Sequence, residues 1–254
     1  MDFSGIYGWE QFYEKEEADW VEVQGLLGSN CYCDDEAYKQ LREKIREFPA
    51  EGIHFIDSGN YHYMSRIWLE KIQEPFRLLV FDNHTDMQPP AFGGILSCGG
   101  WIAAALEELP FLKEVLLVGP DEEAFGQTDA ELMKKVRFLS REALTGQPAE
   151  ESRRFFEGIP SDLPLYVSVD KDVLRWGDAA TSWSQGDMRL SELLDYLEIT
   201  AGVLAGEGQR LLGMDICGEC NPAQAEQSPA NDCANRALLE WYRGDHSQGK
   251  PDNN

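Results

Sequence analysis

Leu78-Leu79-Val80-Phe81-Asp82-Asn83-His84-Thr85-Asp86 joins an apolar run directly to a segment of acids and a histidine. Four apolar residues in succession suit a strand covered on both faces, the position a strand holds in a parallel sheet flanked by helices. The pattern recurs on either side. Short apolar runs stand at His54-Phe55-Ile56, Val115-Leu116-Leu117-Val118, Leu165-Tyr166-Val167-Ser168-Val169 and Leu211-Leu212-Gly213-Met214. Amphipathic stretches separate them. Asp35 to Phe48 carries Tyr38, Leu41 and Ile45 at helical spacing, and Tyr63 to Gln73 carries Ile67, Trp68 and Ile72. Trp101 to Leu109 and Ser191 to Leu204 read the same way, with Ser191 as the start of the last helix. This alternation predicts a three-layer α/β/α fold around a mostly parallel sheet.

The chain has 254 residues and a formal net charge of −24. Binding phosphates needs a cationic face, so nucleic acid and anionic membrane surfaces are excluded as partners. With 43% hydrophobic residues the chain can bury a sizeable core. The expectation is one domain over residues 1–243 and a flexible polar tail over 244–254, where Gly244-Asp245-His246-Ser247 spells a familiar metal-site string in solvated chain. Met1-Asp2-Phe3-Ser4 opens acidic and polar where an export signal is basic and then apolar, which predicts a cytoplasmic location. The six cysteines are then expected as free thiols. Cys31/Cys33 with Cys217/Cys220 offers four thiolates for a structural zinc, at loose spacing.

Ligands bind parallel sheets beyond the carboxyl ends of the strands. Asp82-x-His84-x-Asp86 follows one apolar run, Asp170-Lys171-Asp172 another, and Gly59-Asn60-Tyr61-His62 ends a third strand-like segment. In extended chain, residues two apart share a face, so Asp82, His84 and Asp86 converge, as do Asp170 and Asp172. Four carboxylates in one place repel one another unless a cation compensates them, and Lys171 points the other way. Two divalent ions satisfy the set, and a donor set of oxygens with one imidazole per ion suits manganese better than zinc. The plainer reading of D-x-H-x-D is a turn closed by Asx hydrogen bonds. His54 reads as a packing residue.

These motifs resemble those of the ureohydrolase superfamily of arginases, agmatinases and formiminoglutamases, over roughly residues 50–225. Asp82 to Asp86 is similar to the family's D-A-H-x-D with Asn83 in place of Ala, and Ser168-Val169-Asp170-Lys171-Asp172 to its S-x-D-x-D. His62 matches the histidine of G-G-D-H-S loosely. Met214-Asp215-Ile216-Cys217-Gly218-Glu219-Cys220-Asn221-Pro222 resembles D-I-x-E-x-N-P with one extra residue. The resemblance implies two Mn2+ ions per chain, one on His62, Asp82, Asp86 and Asp170, the other on His84, Asp82, Asp170 and Asp172. It implies that Asp86 orients a hydroxide for attack on a guanidinium carbon and that Glu219 binds that cationic group.

The departures are specific. Phe92 to Trp101, where arginases carry a proton-shuttle histidine, has none, and the chain holds four histidines in all. The residues that clamp a free amino acid are absent there too, and Arg175 replaces the third Asp of the family's S-x-D-x-D-x-x-D-P. These losses resemble a divergent branch that includes arginases acting on arginine within peptides. Trp101, Trp176 and Trp183 are placed to wall such a cation or to pack loops, and Trp183 is the expected substrate contact. The expected function is a binuclear manganese hydrolase of a guanidino C–N bond, on a small molecule or a peptidyl arginine. The alternatives are a metal-binding or sensing protein without turnover, and an amide deacetylase of the same fold, against which the complete D-x-H-x-D argues.

Overall fold

The computed structural model describes residues 1–89, 94–146 and 149–244. Its strands are β1 (Tyr32–Cys33), β2 (Ile53–Phe55), β3 (Phe76–Phe81), β4 (Leu96–Ser97), β5 (Leu112–Val118), β6 (Val136–Leu139), β7 (Leu165–Asp170) and β8 (Leu211–Cys217). The helices are α1 (Asp35–Lys44), α2 (Met64–Leu69), α3 (Trp101–Glu108), α4 (Glu122–Gly126), α5 (Ala130–Met133), α6 (Arg141–Gly146), α7 (Ala149–Glu157), α8 (Leu190–Gly206) and α9 (Ser228–Arg243). Six strands form one parallel sheet in the order β2-β8-β7-β3-β5-β6, while β1 and β4 pair separately and antiparallel.

The apolar runs alternate sides along each central strand. Leu78 and Val80 of β3 join Leu41, Ile67, Trp68 and Ile102 in the core under α1, α2 and α3. Leu79 and Phe81 join Phe156, Leu193, Leu197 and Leu238 in the core under α7, α8 and α9. Two apolar cores on one sheet make three layers, and each fully buried Leu or Phe contributes about 1.5–3 kcal/mol relative to exposure. The N-terminal segment adds a satellite: Ile6, Tyr7 and Phe12 pack against Cys220, Ala225 and Leu239.

The expected strands are present, with β8 extending three residues beyond Met214. β6 adds an edge strand that the apolar pattern did not signal, since Arg137 in its centre is exposed. α8 begins at Leu190 rather than Ser191, because Glu192 accepts a hydrogen bond from the Arg189 N–H (2.8 Å) and fixes the cap at Arg189. His62 does not end a strand. β2 stops at Phe55, and a single 3-10 turn, Gly59–Tyr61, delivers His62 to the start of α2. Among the described residues no helix is long and apolar enough to cross a membrane. The expected tail, with Gly244-Asp245-His246-Ser247, lies beyond residue 244 outside the described residues, apart from Gly244 itself.

From β3 the chain runs outward through β5 to β6 and then returns to place β7 on the other side of β3. That reversal opens a crevice at the carboxyl ends of β3 and β7, where open parallel sheets bind ligands. Phe81 lies level with Val169, so Asp82 and Asp170 emerge side by side.

Candidate metal centre

The six residues expected to hold metal converge in that crevice. His62 Nδ1 lies 3.2 Å from Asp82 Oδ2, 3.1 Å from Asp86 Oδ2 and 3.6 Å from Asp170 Oδ2. His84 Nδ1 lies 2.8 Å from Asp172 Oδ2 and 3.5 Å from Asp82 Oδ1. Two donor groups thus form around Asp82, one on each imidazole. His62, Asp82, Asp170 and Asp172 are 3% exposed or less, so little water reaches them.

Backbone turns, more than strand periodicity, bring these groups together. The chain leaves the extended region after β3, and Asp86 adopts a left-handed φ of 47°. Asp82 Oδ1 accepts the His84 N–H (2.6 Å), and Asp170 Oδ1 accepts the Asp172 N–H (2.9 Å). The Asx turns of the plainer reading are therefore present within the ligand set. They hold one oxygen of each carboxylate and leave the other aimed inward.

The protonation of His62 follows from its far side. Ser168 Oγ donates to Asp215 Oδ1 (2.6 Å), so it can only accept from His62 Nε2 (2.9 Å). Ser65 Oγ donates to the same Asp215 oxygen (2.9 Å). Neutral His62 then carries its proton on Nε2 and presents a bare lone pair at Nδ1 toward three carboxylates. His62 Nδ1 and Asp82 Oδ2 are buried without a hydrogen-bond partner. A divalent cation fits this arrangement of acceptors, and the Ser168–Asp215 relay is the kind of outer support that orients a metal-binding histidine.

With no ion, the crevice favours protons in its place. Burial drives Asp86 up to about 7, with repulsion from Asp82 adding to it. Burial likewise raises Asp172, followed by repulsion from Asp170 and Asp82. Burial works against an ionised Asp82, yet the adjacent His62 and His84 rings outweigh it and hold that carboxyl below its usual range. Burial also opposes charge on His84, but Asp172 and Asp82 push it up to about 12.

A cavity of about 240 Å³ opens above the ligands, walled by Cys31, Tyr32, Ser97, Cys98 and Trp183. Gly59 forms part of its floor, where a Cβ would stand 2.8 Å from Asp170 Oδ2. Trp183 is held by its Nε1 donating to Asn60 Oδ1 (2.9 Å), and its ring meets His84 edge-on at 5.8 Å. Trp101 is fully buried, donates Nε1–H to Asp86 Oδ2 (2.7 Å) and lies 4.8 Å from the His62 ring. Trp176 is 65% exposed and does not line the cavity. Arg175 pairs outward with Asp178.

Glu219 does not join the site. It is fully buried in an ion pair with Lys171 Nζ, while Asn235 of α9 donates to it (2.8 Å) and to Glu10 Oε2 (2.9 Å). A carboxylate spent on a buried ammonium is not available to a substrate guanidinium, so the role implied by D-I-x-E-x-N-P does not carry to this residue. Sequence reasoning missed the opposite gain. Cys217 Sγ lies 3.1 Å from Asp170 Oδ2 and joins His62 and Asp170 in a group of buried donor atoms all within 4.8 Å of one another. Its signal was its position two residues after Asp215, on the same face of β8. The four-thiolate zinc has no counterpart among the described donor clusters, in which Cys31, Cys33 and Cys220 do not take part.

The family model for the arginase family matches residues 15–242. An uncharacterised protein of Thermotoga maritima is 30% identical over 99% of this chain and 95% of its own length. Among solved structures, a formiminoglutamase variant of Trypanosoma cruzi, determined with Mn2+, superposes with a TM-score of 0.62 at 17% identity, covering 87% of this chain and 73% of that one. A hypothetical agmatinase from Burkholderia thailandensis gives 0.60 at 20% identity over 81% of this chain, which spans 63% of the agmatinase. The family match over nearly the whole chain decides it: the chain belongs to the arginase family.

Proposed function

We propose that this chain is a binuclear metal-dependent hydrolase that cleaves a C–N bond of a guanidino or related group. The observation that carries the reading is His62 Nδ1, buried without a hydrogen-bond partner and facing Asp82, Asp86 and Asp170. His62, Asp82, Asp86 and Asp170 would hold one ion, and His84, Asp82, Asp170 and Asp172 the other. The oxygen-rich set and the Mn2+ of the trypanosomal relative support manganese. Bound there, two divalent ions lower the pKa of water enough to supply a nucleophile near neutral pH.

The chain's own groups then position the reaction. Trp101 fixes the Asp86 carboxylate, which orients the attacking water and holds the proton destined for the leaving nitrogen. Burial of the ligands excludes bulk water and strengthens each electrostatic contact. The Trp183 ring at the rim offers a face to a flat cation. Among the described residues that line the cavity none is Lys or Arg, so a free α-carboxylate finds no cationic partner among them. This supports guanidino compounds without one, the arginine side chain within a peptide included, over free arginine.

Purified protein is expected to contain about two divalent metal ions per chain, manganese among them, and to release urea or the corresponding amide from a panel of guanidino compounds and arginine peptides. The Asp86→Ala variant is expected to lose turnover. Absence of metal, with no activity after manganese loading, defeats the proposal. A second reading, metal binding without turnover, draws on the absence of a histidine from the sequence Phe92 to Trp101. It gains if the wild type binds two ions and hydrolyses no member of the panel.

A further inference from the structure

The thiol of Cys217 sits beside the Asp170 carboxylate, and the backbone explains how it comes there. Asp170 of β7 lies level with Cys217 of β8. Asp215 and Cys217 share a face of β8, and Asp215 already meets Ser168, the partner of His62 Nε2. The next residue, Gly218, has φ +92°, and a Cβ there would lie 2.4 Å from Asp170 Oδ1 and 2.7 Å from the Lys171 nitrogen. Only glycine lets β8 pass this close and turn. The turn sends Glu219 away to Lys171 and leaves Cys217 as the last β8 side chain facing the ligands. The turn at Gly218 therefore leaves a sulfur donor, and not Glu219, beside the ligands.

Resting on the two-metal reading above, but not on manganese at both positions, we infer that Cys217 is a ligand of the His62-side ion, which makes that position a His–Asp–Cys site selective for a borderline-soft divalent cation such as zinc or ferrous iron. The second observation beside the thiol is a set of orphaned atoms in the same crevice: His62 Nδ1 and Asp82 Oδ2 are buried and unpartnered. His62 Nδ1, Asp170 Oδ2 and Cys217 Sγ, with Asp82 or Asp86 as a fourth donor, supply the N/O/S mixture that suits such ions. The His84 side has oxygens and one imidazole, and keeps its preference for manganese. The two positions of one centre thus differ in softness. On loading, the Sγ–H bond breaks, a metal–sulfur bond forms and the proton passes to buffer.

Cobalt titration of chelator-treated protein separates the possibilities, because cobalt reports sulfur by a thiolate charge-transfer band in the near ultraviolet. Wild type is expected to bind two equivalents, one of which generates the band. Cys217→Ser is expected to lose the band, while Cys31→Ser and Cys98→Ser, at the cavity wall, keep it. In competition between zinc and manganese, Cys217→Ser is expected to shift preference toward manganese by tenfold or more. X-ray absorption of the zinc-loaded wild type needs no variant and is expected to show one sulfur in the zinc coordination shell. Two cobalt ions bound without the band, a band that survives Cys217→Ser, or a shell free of sulfur overturns the assignment and leaves the two-metal reading standing. Failure to bind any metal overturns both.

Discussion

Two groups of buried acids lie on either side of the end of β7, and they are balanced differently. On one side Asp170 and Asp172 meet Asp82, Asp86 and the two imidazoles. On the other, Lys171 meets Glu219 and Asn235, and Asn235 meets Glu10. The second group supplies its own cation. Burial raises Glu10 to about 9, and the neighbouring Glu219 adds to it, so a proton completes the balance near neutral pH. The first group has only histidines to set against four carboxylates, and what it lacks is a cation from outside. One cluster is closed by the chain and the other is open for metal, although sequence neighbours build both.

The comparison breaks most visibly at Asp170. Asp170→Ala is expected to abolish metal binding at both positions and to lower hydrolysis by about a thousandfold or more, since water activation depends on the ions. Its metal-free melting temperature is expected to stay level or rise, because a like charge has gone. The gain in stability on loading, about 4 kcal/mol with ions at a thousand times their dissociation constant, is expected to vanish. Calorimetry with and without manganese reads both effects.

Lys171→Met should do the reverse. It leaves Glu219 buried without its cation and is expected to cost about 3–5 kcal/mol of stability whether or not metal is present. Adding Glu219→Gln removes the stranded charge and should restore part of that loss in denaturant unfolding. A full loss of metal binding in Lys171→Met at temperatures where it stays folded would merge the two clusters into one unit.

Trp101→Phe sharpens the open side alone. The lost bond to Asp86 is one to a charged group, worth about 1.5–3 kcal/mol, so kcat should fall about tenfold to a hundredfold with metal content unchanged.

The smallest effect lies outside both clusters, at His54. Its ring stacks on Trp68 at 3.9 Å, and burial holds its pKa down to about 4. The unfolded chain takes up the proton first, near 6.5, so stability is lost as pH falls from about 6.5 through about 4. The ring is half-buried, and solvent screening limits the loss to about 1–2 kcal/mol. His54→Phe should flatten that limb of the stability profile.

Much of this was legible in the chain. The strands of the sheet interior announce themselves as apolar runs because both their faces are covered. β6 escaped notice because an edge strand mixes Arg137 with its apolar residues. His54 packs as expected, and Asp82, His84, Asp86, Asp170 and Asp172 follow strand ends, which is where ligands gather. His62 was found through its motif, but by way of a turn and a helix start rather than a strand end. Glu219 matched its motif and went elsewhere, because the motif does not record Lys171 as the neighbour that claims it.

The sequence by itself determined the layered α/β fold, the six residues that gather at its carboxyl edge and the need for compensating cations. Its hydrophobic periods and strand-end acids are local, and they hold wherever φ and ψ stay regular. The tertiary structure decided which atoms stay unpartnered and which side chains change places. Those outcomes turn on left-handed backbone at Asp86 and Gly218 and on the alignment of Asp170 with Cys217. A side chain's direction beyond a strand end is set by such turns and by the neighbouring strand, and neither is visible in the spacing of residues along one chain.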